Sequence, residues 1–487
     1  MSDSLGGLAN IPAPVAREKP WVQLKTFTSK PNVFRSMVGD VSADARQGDL
    51  VSAYDKQGSF IGYGFWNPGA PIALRILKNT PGKPDDAWFE QALRRAAALR
   101  KDVLKLDADT DAYRVVNGDA DFLSGLIVDR LGDVLSIEVS SYAVMRRLPR
   151  WIPLLHEAVG TKREIVQVDA HVARVEGIMP SDIPKSAVRF VKIREFGMVQ
   201  EVDFAEGHKT GFFCDQRDNR RRFGALAQGL RVLDLCCYTG GFSIAAKRAG
   251  ATEVTAVDLD EKAIEMAKRN ANLNNARIEF VHADAFTWIR QMQKNGKTWD
   301  LVLCDPPKFV DSRDEEFEAE GLKKYNDLNV LAMQLVAPGG LFVTCSCSGL
   351  VSAEAFEDLV SKAAHRYQKR LQIFDRTGPG GDHPQRLQPP RRPLPQGALE
   401  QNWVEGRGQR RRLGIIGRVA PCAALVAATP IPLPSLRAPV SPCSRAPSRL
   451  PRAGRADQPW ISAIERGRSP HPTLTRSLGP TGGGRAD

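Results

Sequence analysis

Between Leu230 and Phe374 the sequence alternates short apolar runs with stretches of helical periodicity. Apolar runs lie at residues 232–235, 253–258, 278–281, 301–304, 341–344 and 371–374, and helical patterns separate them. Strands that alternate with helices in this way form a parallel sheet with helices on both faces. The pattern therefore predicts a doubly wound α/β sheet, whose strands end at one common edge where ligands bind.

Two short motifs follow two of these strands. Asp305-Pro306-Pro307-Lys308-Phe309 comes after Leu301–Cys304, and Ser346-Cys347-Ser348-Gly349 comes after Leu341–Thr344. The fold would bring the Asp305 carboxylate and the Cys347 thiol to the same edge of the sheet. This pair suits covalent attack on a pyrimidine, in which a thiolate adds to C6 and makes C5 nucleophilic.

The neighbours of the two residues receive supporting roles in this interpretation. Asp305 is the expected partner of the base nitrogen N3, and Pro306 and Pro307 stiffen its loop. Lys308 is a candidate for the positive charge that a reactive thiolate needs, and Phe309 is a candidate stacking surface. A free cysteine is more often a small buried residue, and Cys345 is interpreted as a core residue of that kind.

The first strand of the sheet is followed by a glycine-containing turn, Tyr238-Thr239-Gly240-Gly241. This turn is not the G-x-G-x-x-G pattern of dinucleotide sites. Acidic residues stand within or after four of the strands, at Asp234, Asp258, Asp284 and Asp305. Each alone is an ordinary helix cap. Together with the turn they predict a site for S-adenosylmethionine, with Asp258 at the ribose and Asp284 at the adenine.

The preceding sequence predicts two smaller domains. Residues 20–84 alternate like short strands with turns between them and favour a small β-barrel, after a flexible stretch at 1–19. Residues 85–195 predict a linker helix and an α+β unit. The sheet domain is expected to span residues 196–384. The spacing of Gly207, His208 and Lys209 excludes a phosphate-binding loop.

The net charge of +12 suggests a nucleic-acid-binding protein, but its distribution is uneven. Residues 385–487 hold 17 Arg, no Lys and five acidic residues, so residues 1–384 carry no net charge. The same segment holds 16 of the 33 Pro and lacks periodicity. We interpret it as a disordered tail, encoded by a shifted reading frame rather than evolved as a basic RNA-binding arm.

Cellular context is indicated by what the sequence lacks. No apolar stretch has the roughly 18 residues of a membrane span, and Met1–Leu5 does not open a signal peptide. The eight Cys show no zinc-binding spacing, so no metal is expected. These observations predict a soluble, cytoplasmic protein. The sequence leaves a homodimer open and indicates no protein partner.

The motifs resemble those of bacterial large-subunit ribosomal RNA cytosine-5 methyltransferases of the RlmI type over residues 21–384. The most specific matches are Gly207–Gly211, Asp215–Asp218, Tyr238–Phe242, Asp305–Phe309, Tyr325-x-Asp327-x-Asn329 and Ser346–Gly349. The resemblance implies a PUA domain, a central α+β domain and a Rossmann-like methyltransferase domain. It also implies 23S rRNA as substrate, Cys347 as nucleophile, and Gln216 and Arg220 beside the substrate or cofactor.

The resemblance stops after Pro384, where the family continues into a final strand of the sheet. The only nearby apolar run, Leu413–Gly417, is a poor substitute, so we expect the strand to be missing and the protein to be destabilised. Two alternatives remain open at this stage. One is methylation of another atom, such as guanine N7, without a cysteine nucleophile. The other is a catalytically impaired RNA-binding protein.

Overall fold

The computed structural model describes residues 17–26, 28–205, 210–386 and 424–429. Its first domain is a curled six-stranded sheet in the order β2-β6-β5-β4-β1-β3. The strands are β1 (Trp21–Leu24), β2 (Asn32–Phe34), β3 (Val38–Val41), β4 (Leu50–Tyr54), β5 (Phe60–Trp66) and β6 (Ile72–Lys78). Buried aliphatic residues such as Val22, Val51 and Leu74 fill its core. The small barrel-like domain expected from the sequence is confirmed.

Helix α1 (Asp86–Ala98) leads to an α+β unit. Its sheet has the order β10-β9-β8-β7. The elements are β7 (Ala112–Asn117), β8 (Leu126–Leu131), β9 (Val134–Val139), α2 (Tyr142–Met145), α3 (Leu148–Val159), β10 (Arg163–Gln167) and α4 (Ala170–Glu176). An antiparallel hairpin of β11 (Phe190–Glu195) and β12 (Met198–Asp203) follows. This hairpin connects the unit to the third domain.

The third domain is a seven-stranded sheet in the order β15-β14-β13-β16-β17-β19-β18. Its strands are β13 (Arg231–Leu235), β14 (Glu253–Asp258), β15 (Glu279–His282), β16 (Trp299–Cys304), β17 (Val336–Thr344), β18 (Arg370–Arg376) and β19 (Ala424–Thr429). Its helices are α5 (Arg217–Leu226), α6 (Gly241–Arg248), α7 (Glu261–Leu273), α8 (Ala285–Lys294), α9 (Glu315–Gln334) and α10 (Ala353–Arg366). The predicted doubly wound fold is confirmed.

The final strand of this sheet is present, and the expectation that it is missing was wrong. β19 lies between β17 and β18 and is antiparallel to both. Val426 is paired with Phe342 on one side and with Ile373 on the other. The backbone of β19 thus occupies the position that the sequence seemed to leave empty. Residues 1–16 and the run Leu413–Gly417 lie outside the described residues.

A buried carboxylate joins the sheet domain to the middle domain. Asp382 is fully buried and accepts two hydrogen bonds from Arg217 of α5, at 2.9 and 3.0 Å. It also accepts the backbone N–H of Arg114 on β7, at 2.9 Å. Arg100 donates to the backbone carbonyl of Asp382 and pairs with Asp121.

Along the described stretches of chain, no helix is long and apolar enough to cross a membrane.

Replacing Asp382 should destabilise the protein strongly. Asp382→Ala leaves the Arg217 guanidinium buried without its main partner, which costs about 3–5 kcal/mol of unfolding free energy. Urea denaturation measures this cost. Glu357→Ala is the control, since it breaks an exposed pair with Arg376 and should cost less than about 1 kcal/mol. Equal costs for the two variants would contradict the structural role of Asp382.

Candidate functional site

A cavity of about 340 Å³ opens at the carboxyl ends of the parallel strands. Its walls come from the segments that follow β13, β14, β15, β16 and β17, and from β12 and the residues before α5. Twelve residues that the sequence predicted for the site line it: Gln216, Arg220, Tyr238, Thr239, Gly241, Asp258, Asp284, Asp305, Pro306, Pro307, Phe309 and Cys347. The fold therefore brings most of the predicted residues together.

One end of the cavity is bounded by two carboxylates that also shape the backbone. Asp258 ends β14 and accepts hydrogen bonds from the backbone N–H groups of Tyr238, at 2.8 Å, and Asp260, at 2.9 Å. Asp284 caps α8 through the N–H of Thr287, at 2.9 Å. Asp284 is thus a helix cap, whereas α7 is capped by Asp260 and not by Asp258. Both Asp258 and Asp284 also face the cavity. Phe286, beside Asp284, adds an aromatic wall.

The turn after β13 has a constrained backbone. Cys236 and Tyr238 both have positive φ, at 63° and 49°, which residues with side chains adopt at a cost in free energy. Gly240, with φ of 83°, precedes the first residue of α6. Gly240 is not part of the cavity wall, and it acts by letting the chain turn into the helix.

Asp234 lies behind the cavity wall rather than in it. Its carboxylate is 1% exposed and accepts the hydroxyl of Ser243 on α6, at 2.6 Å. Its Oδ1 has no hydrogen-bond partner within the described part of the chain, and burial raises the pKa of Asp234 to about 7. The residue therefore supports the start of α6 and is not part of the cavity wall.

Asp305 follows β16 and lies in the centre of the cavity wall. Burial raises the pKa of its carboxyl to about 7, and the nearby charges of Asp234 and Asp215 add to the effect. Gln216 donates to its Oδ2 at 3.4 Å, and Asn219 holds the Gln216 amide at 2.7 Å. Near neutral pH the carboxyl therefore exchanges between acid and carboxylate, so that it can donate a proton as well as accept one.

Cys347 is exposed and lies beside the Asp305 loop. Its Sγ is 3.8 Å from the carbonyl oxygen of Pro306, so the two motifs meet as the sequence predicted. Cys345 is 1% exposed and packs in the core, as expected. Its thiol also donates to Asp305, a contact that the sequence did not indicate.

Tyr325 of α9 holds both loops in place. It is fully buried, and its hydroxyl lies 2.9 Å from the Oγ of Ser348. The same hydroxyl is 3.5 Å from the N–H of Phe309 and from the carbonyl of Pro307. Its ring meets that of Phe309 edge-on at 4.9 Å. One side chain thus fixes the loop of Asp305 against the loop of Cys347.

Two of the residues predicted to contact the substrate have surroundings that the sequence did not indicate. Arg220 lines the cavity, but Glu195 of β11 accepts two of its N–H groups, both at 2.6 Å. The backbone carbonyl of Phe213 accepts a third, at 3.1 Å. Lys308 is exposed and outside the cavity wall. Arg220 therefore forms the wall as part of a neutral pair.

Sequence reasoning missed Gln200 and Tyr325 as site residues. Gln200 lies on β12, outside the seven-stranded sheet, and no motif marks it. Its side chain is fully buried and lines the cavity. Neither Nε2 nor Oε1 of Gln200 has a hydrogen-bond partner among the residues that the structure describes. Tyr325 belongs to a segment that the resemblance marked, but its role depends on contacts with two distant loops.

Comparison with known proteins agrees with this geometry. Residues 183–384 match a family model described as S-adenosylmethionine-dependent methyltransferase, and residues 19–79 match a PUA-like domain. Ribosomal RNA large subunit methyltransferase I of Erwinia tasmaniensis is 32% identical over 73% of this chain and 90% of its own. A ribosomal RNA large subunit methyltransferase of Deinococcus radiodurans is 36% identical over 70% of this chain and 86% of its own.

Solved structures show the same fold. A protein of Streptococcus mutans assigned as a SAM-dependent methyltransferase superposes with a TM-score of 0.64 at 16% identity, covering 84% of this chain and all of that one. A methyltransferase solved in complex with SAH has a TM-score of 0.62 at 17% identity, with 84% of this chain and 99% of that one covered. These similarities support the fold.

The residues of the cavity fit S-adenosylmethionine. The cofactor carries a flat base, a ribose and a charged amino-acid end. Phe286 provides an aromatic wall, and Asp258 and Asp284 provide carboxylates. Gln200 provides a buried amide that has no hydrogen-bond partner among the described residues. Within the described residues, no cluster of His, Cys, Asp and Glu is suited to a metal ion.

Asp305→Asn should stabilise the protein increasingly as the pH rises. The folded-state pKa of Asp305 is about 7, whereas an unfolded aspartate titrates near pH 4. Between these values only the folded state keeps the proton, so this group lowers stability as the pH rises. The variant does not titrate, and its stability relative to the parent should increase by about 2–4 kcal/mol from pH 4 to pH 8.

Urea denaturation at the two pH values, without ligand, measures this difference. Asp284→Asn is the control, because that carboxyl is exposed to water. A difference between variant and parent that stays constant from pH 4 to pH 8 would contradict the burial argument for Asp305.

Proposed function

This chain belongs to the family of S-adenosylmethionine-dependent ribosomal RNA large subunit methyltransferases, and we propose that it forms 5-methylcytosine in large-subunit rRNA through a covalent Cys347 adduct. The observation that supports this most directly is the meeting of an exposed thiol and a carboxyl of raised pKa in one cavity. Methylation of an exocyclic amine or of guanine N7 needs no cysteine at this place.

The cofactor is proposed to lie along the strand ends. Asp258 would bind the ribose hydroxyls, and Asp284 with Phe286 would bound the adenine. Tyr238, Thr239 and Gly241 form the wall beside them. Asp234 and Gly240 would act indirectly, by fixing the start of α6. The bound cofactor supplies an electrophilic methyl group.

Cys347 is the proposed nucleophile. Its thiolate would add to C6 of cytosine, and the electron pair of the C5–C6 double bond would then be available at C5. After C5 has gained the methyl group, transfer of the C5 proton to solvent and release of the thiolate from C6 would restore the aromatic ring. An exposed Sγ at the cavity wall is accessible to a base that has left its stack.

Asp305 is the proposed partner of N3. Addition of the thiolate at C6 places negative charge on the ring, which a carboxylic acid hydrogen-bonded to N3 stabilises. The raised pKa of Asp305 keeps a large fraction of the carboxyl in the acid form near neutral pH. Gln216 and the Cys345 thiol orient the group.

The RNA is proposed to reach the cavity at the Asp305 loop. Phe309 lines the cavity and offers an aromatic edge for the flipped base, and Pro306 and Pro307 form the adjoining wall. Gln216, Arg220 and Lys308 stay candidates for contacts with the substrate, with Arg220 acting through its paired position. The PUA-like domain at residues 19–79 would hold RNA outside the target nucleotide.

Cys347→Ala should abolish 5-methylcytosine formation. Purified protein is incubated with S-adenosylmethionine and 23S rRNA that lacks the modification, and nucleosides are quantified by mass spectrometry. We expect a loss of at least about 1,000-fold, because no other group replaces the nucleophile. Cys214→Ala is the control, since Cys214 is buried and outside the cavity wall. A methylated base that persists in Cys347→Ala would contradict the proposal.

Tyr325→Phe should slow methyl transfer without weakening cofactor binding. The change removes only the hydroxyl that lies between the Asp305 and Cys347 loops. We expect kcat to fall about tenfold, because small displacements of reacting groups are costly, while the Kd for S-adenosylmethionine stays unchanged. Tyr367→Phe, at an exposed tyrosine, is the matched control. An unchanged kcat, or a weakened Kd, would contradict this positioning role.

A further inference from the structure

Gln200 is a buried polar side chain with unused hydrogen-bonding capacity. Gln200 is fully buried, and both Nε2 and Oε1 lack a hydrogen-bond partner in the part of the chain that the structure describes. Leaving a buried donor or acceptor unsatisfied costs about 1–3 kcal/mol. A primary amide kept in this condition at a cavity wall indicates that a ligand completes its hydrogen bonds.

The position of Gln200 in the cavity is defined by the start of α6. A Cβ atom built on Gly241, the first residue of α6, would lie 3.5 Å from Oε1 of Gln200. It would also lie 2.8 Å from Cδ of Arg220, so a side chain at Gly241 would displace its neighbours. The Gln200 amide therefore faces the first turn of α6, where the helix carries partial positive charge.

The Gln200 amide lies where one end of a cofactor bound along the strand ends would be. Asp284 follows β15, Asp258 ends β14, and Gly241 follows β13, the next strand of the sheet. A molecule with its base at Asp284 and its ribose at Asp258 has its remaining end at Gly241. That end of S-adenosylmethionine carries an α-ammonium and an α-carboxylate.

We propose that the Gln200 amide binds the amino-acid end of S-adenosylmethionine. An amide is both donor and acceptor, so Nε2 donates to the carboxylate and Oε1 accepts from the ammonium. The neighbouring Arg220 does not replace it, since Glu195 accepts two N–H groups of its guanidinium. The β11–β12 hairpin, which precedes the seven-stranded sheet, thereby becomes part of the cofactor site. This inference depends on the cofactor and not on which base is methylated.

Ligands with and without the amino-acid end test the proposal. Isothermal titration calorimetry is used to compare S-adenosylmethionine, S-adenosylhomocysteine and 5′-methylthioadenosine, which retains adenine and ribose only. Gln200→Met keeps the length of the side chain and removes its polar atoms. We expect it to weaken the first two ligands by about 10- to 100-fold, the range for hydrogen bonds to charged groups. The Kd for 5′-methylthioadenosine should change less than about twofold. Retained binding of this ligand also shows that the cavity of the variant is folded.

Asp258→Asn provides the matched control at the ribose, where all three ligands are alike. It should weaken all three by similar factors. The proposal is overturned if Gln200→Met leaves the affinity for S-adenosylmethionine unchanged. It is equally overturned if 5′-methylthioadenosine loses affinity as much as the other two, because Gln200 would then only shape the cavity. Neither outcome depends on formation of 5-methylcytosine, so the two proposals fail separately.

Discussion

The register between β16 and β17 determines where the reactive groups lie. Cys304 pairs with Thr344, and the N–H of Cys345 donates to the carbonyl of Cys304 at 2.9 Å, which places the ends of both strands side by side. Asp305 follows the end of β16 directly, and Cys347 is the third residue after the end of β17. A slip of one residue would turn every side chain of a strand to the opposite face. The buried core around the two strands prevents such a slip, so packing energy is what positions the thiol beside the carboxyl.

The cavity also depends on parts of the chain outside the sheet. The hairpin strand β11 supplies Glu195, which neutralises Arg220, and the segment at Asp382 fixes Arg217 at the start of α5. Both pairs are almost completely buried, so each charge would reduce the stability of the folded protein if its partner moved away. The middle domain and the sheet domain are thus held in one arrangement around the cavity. This arrangement explains how a residue of the hairpin, Gln200, comes to face the start of α6.

The sequence predicts the sheet, its order of elements and most of the cavity wall, because strand ends of a parallel sheet share one edge. It predicts less where contacts join distant segments. No local sequence pattern predicts three features of the cavity. They are the pairing of Arg220 with Glu195, the position of the Gln200 amide at the cavity wall, and the position of the Tyr325 hydroxyl between two loops. The sequence led us to expect no final strand, whereas the structure forms one from Ala424–Thr429, a short run that pairs with two neighbouring strands. Asp234 fits its expected pattern but acts behind the cavity wall.

The central claim is that Cys347 forms a covalent bond with cytosine during methyl transfer. The most direct measurement uses 23S rRNA transcribed with 5-fluorocytidine. Release of the thiolate requires removal of a proton from C5, and fluorine at that position cannot be removed in this way, so the adduct is trapped. The protein is incubated with this RNA and S-adenosylmethionine, denatured, digested and analysed by mass spectrometry. We predict a nucleotide attached to the peptide that contains Cys347. Methyl transfer to the RNA without any adduct, or an adduct at another cysteine, would contradict the account.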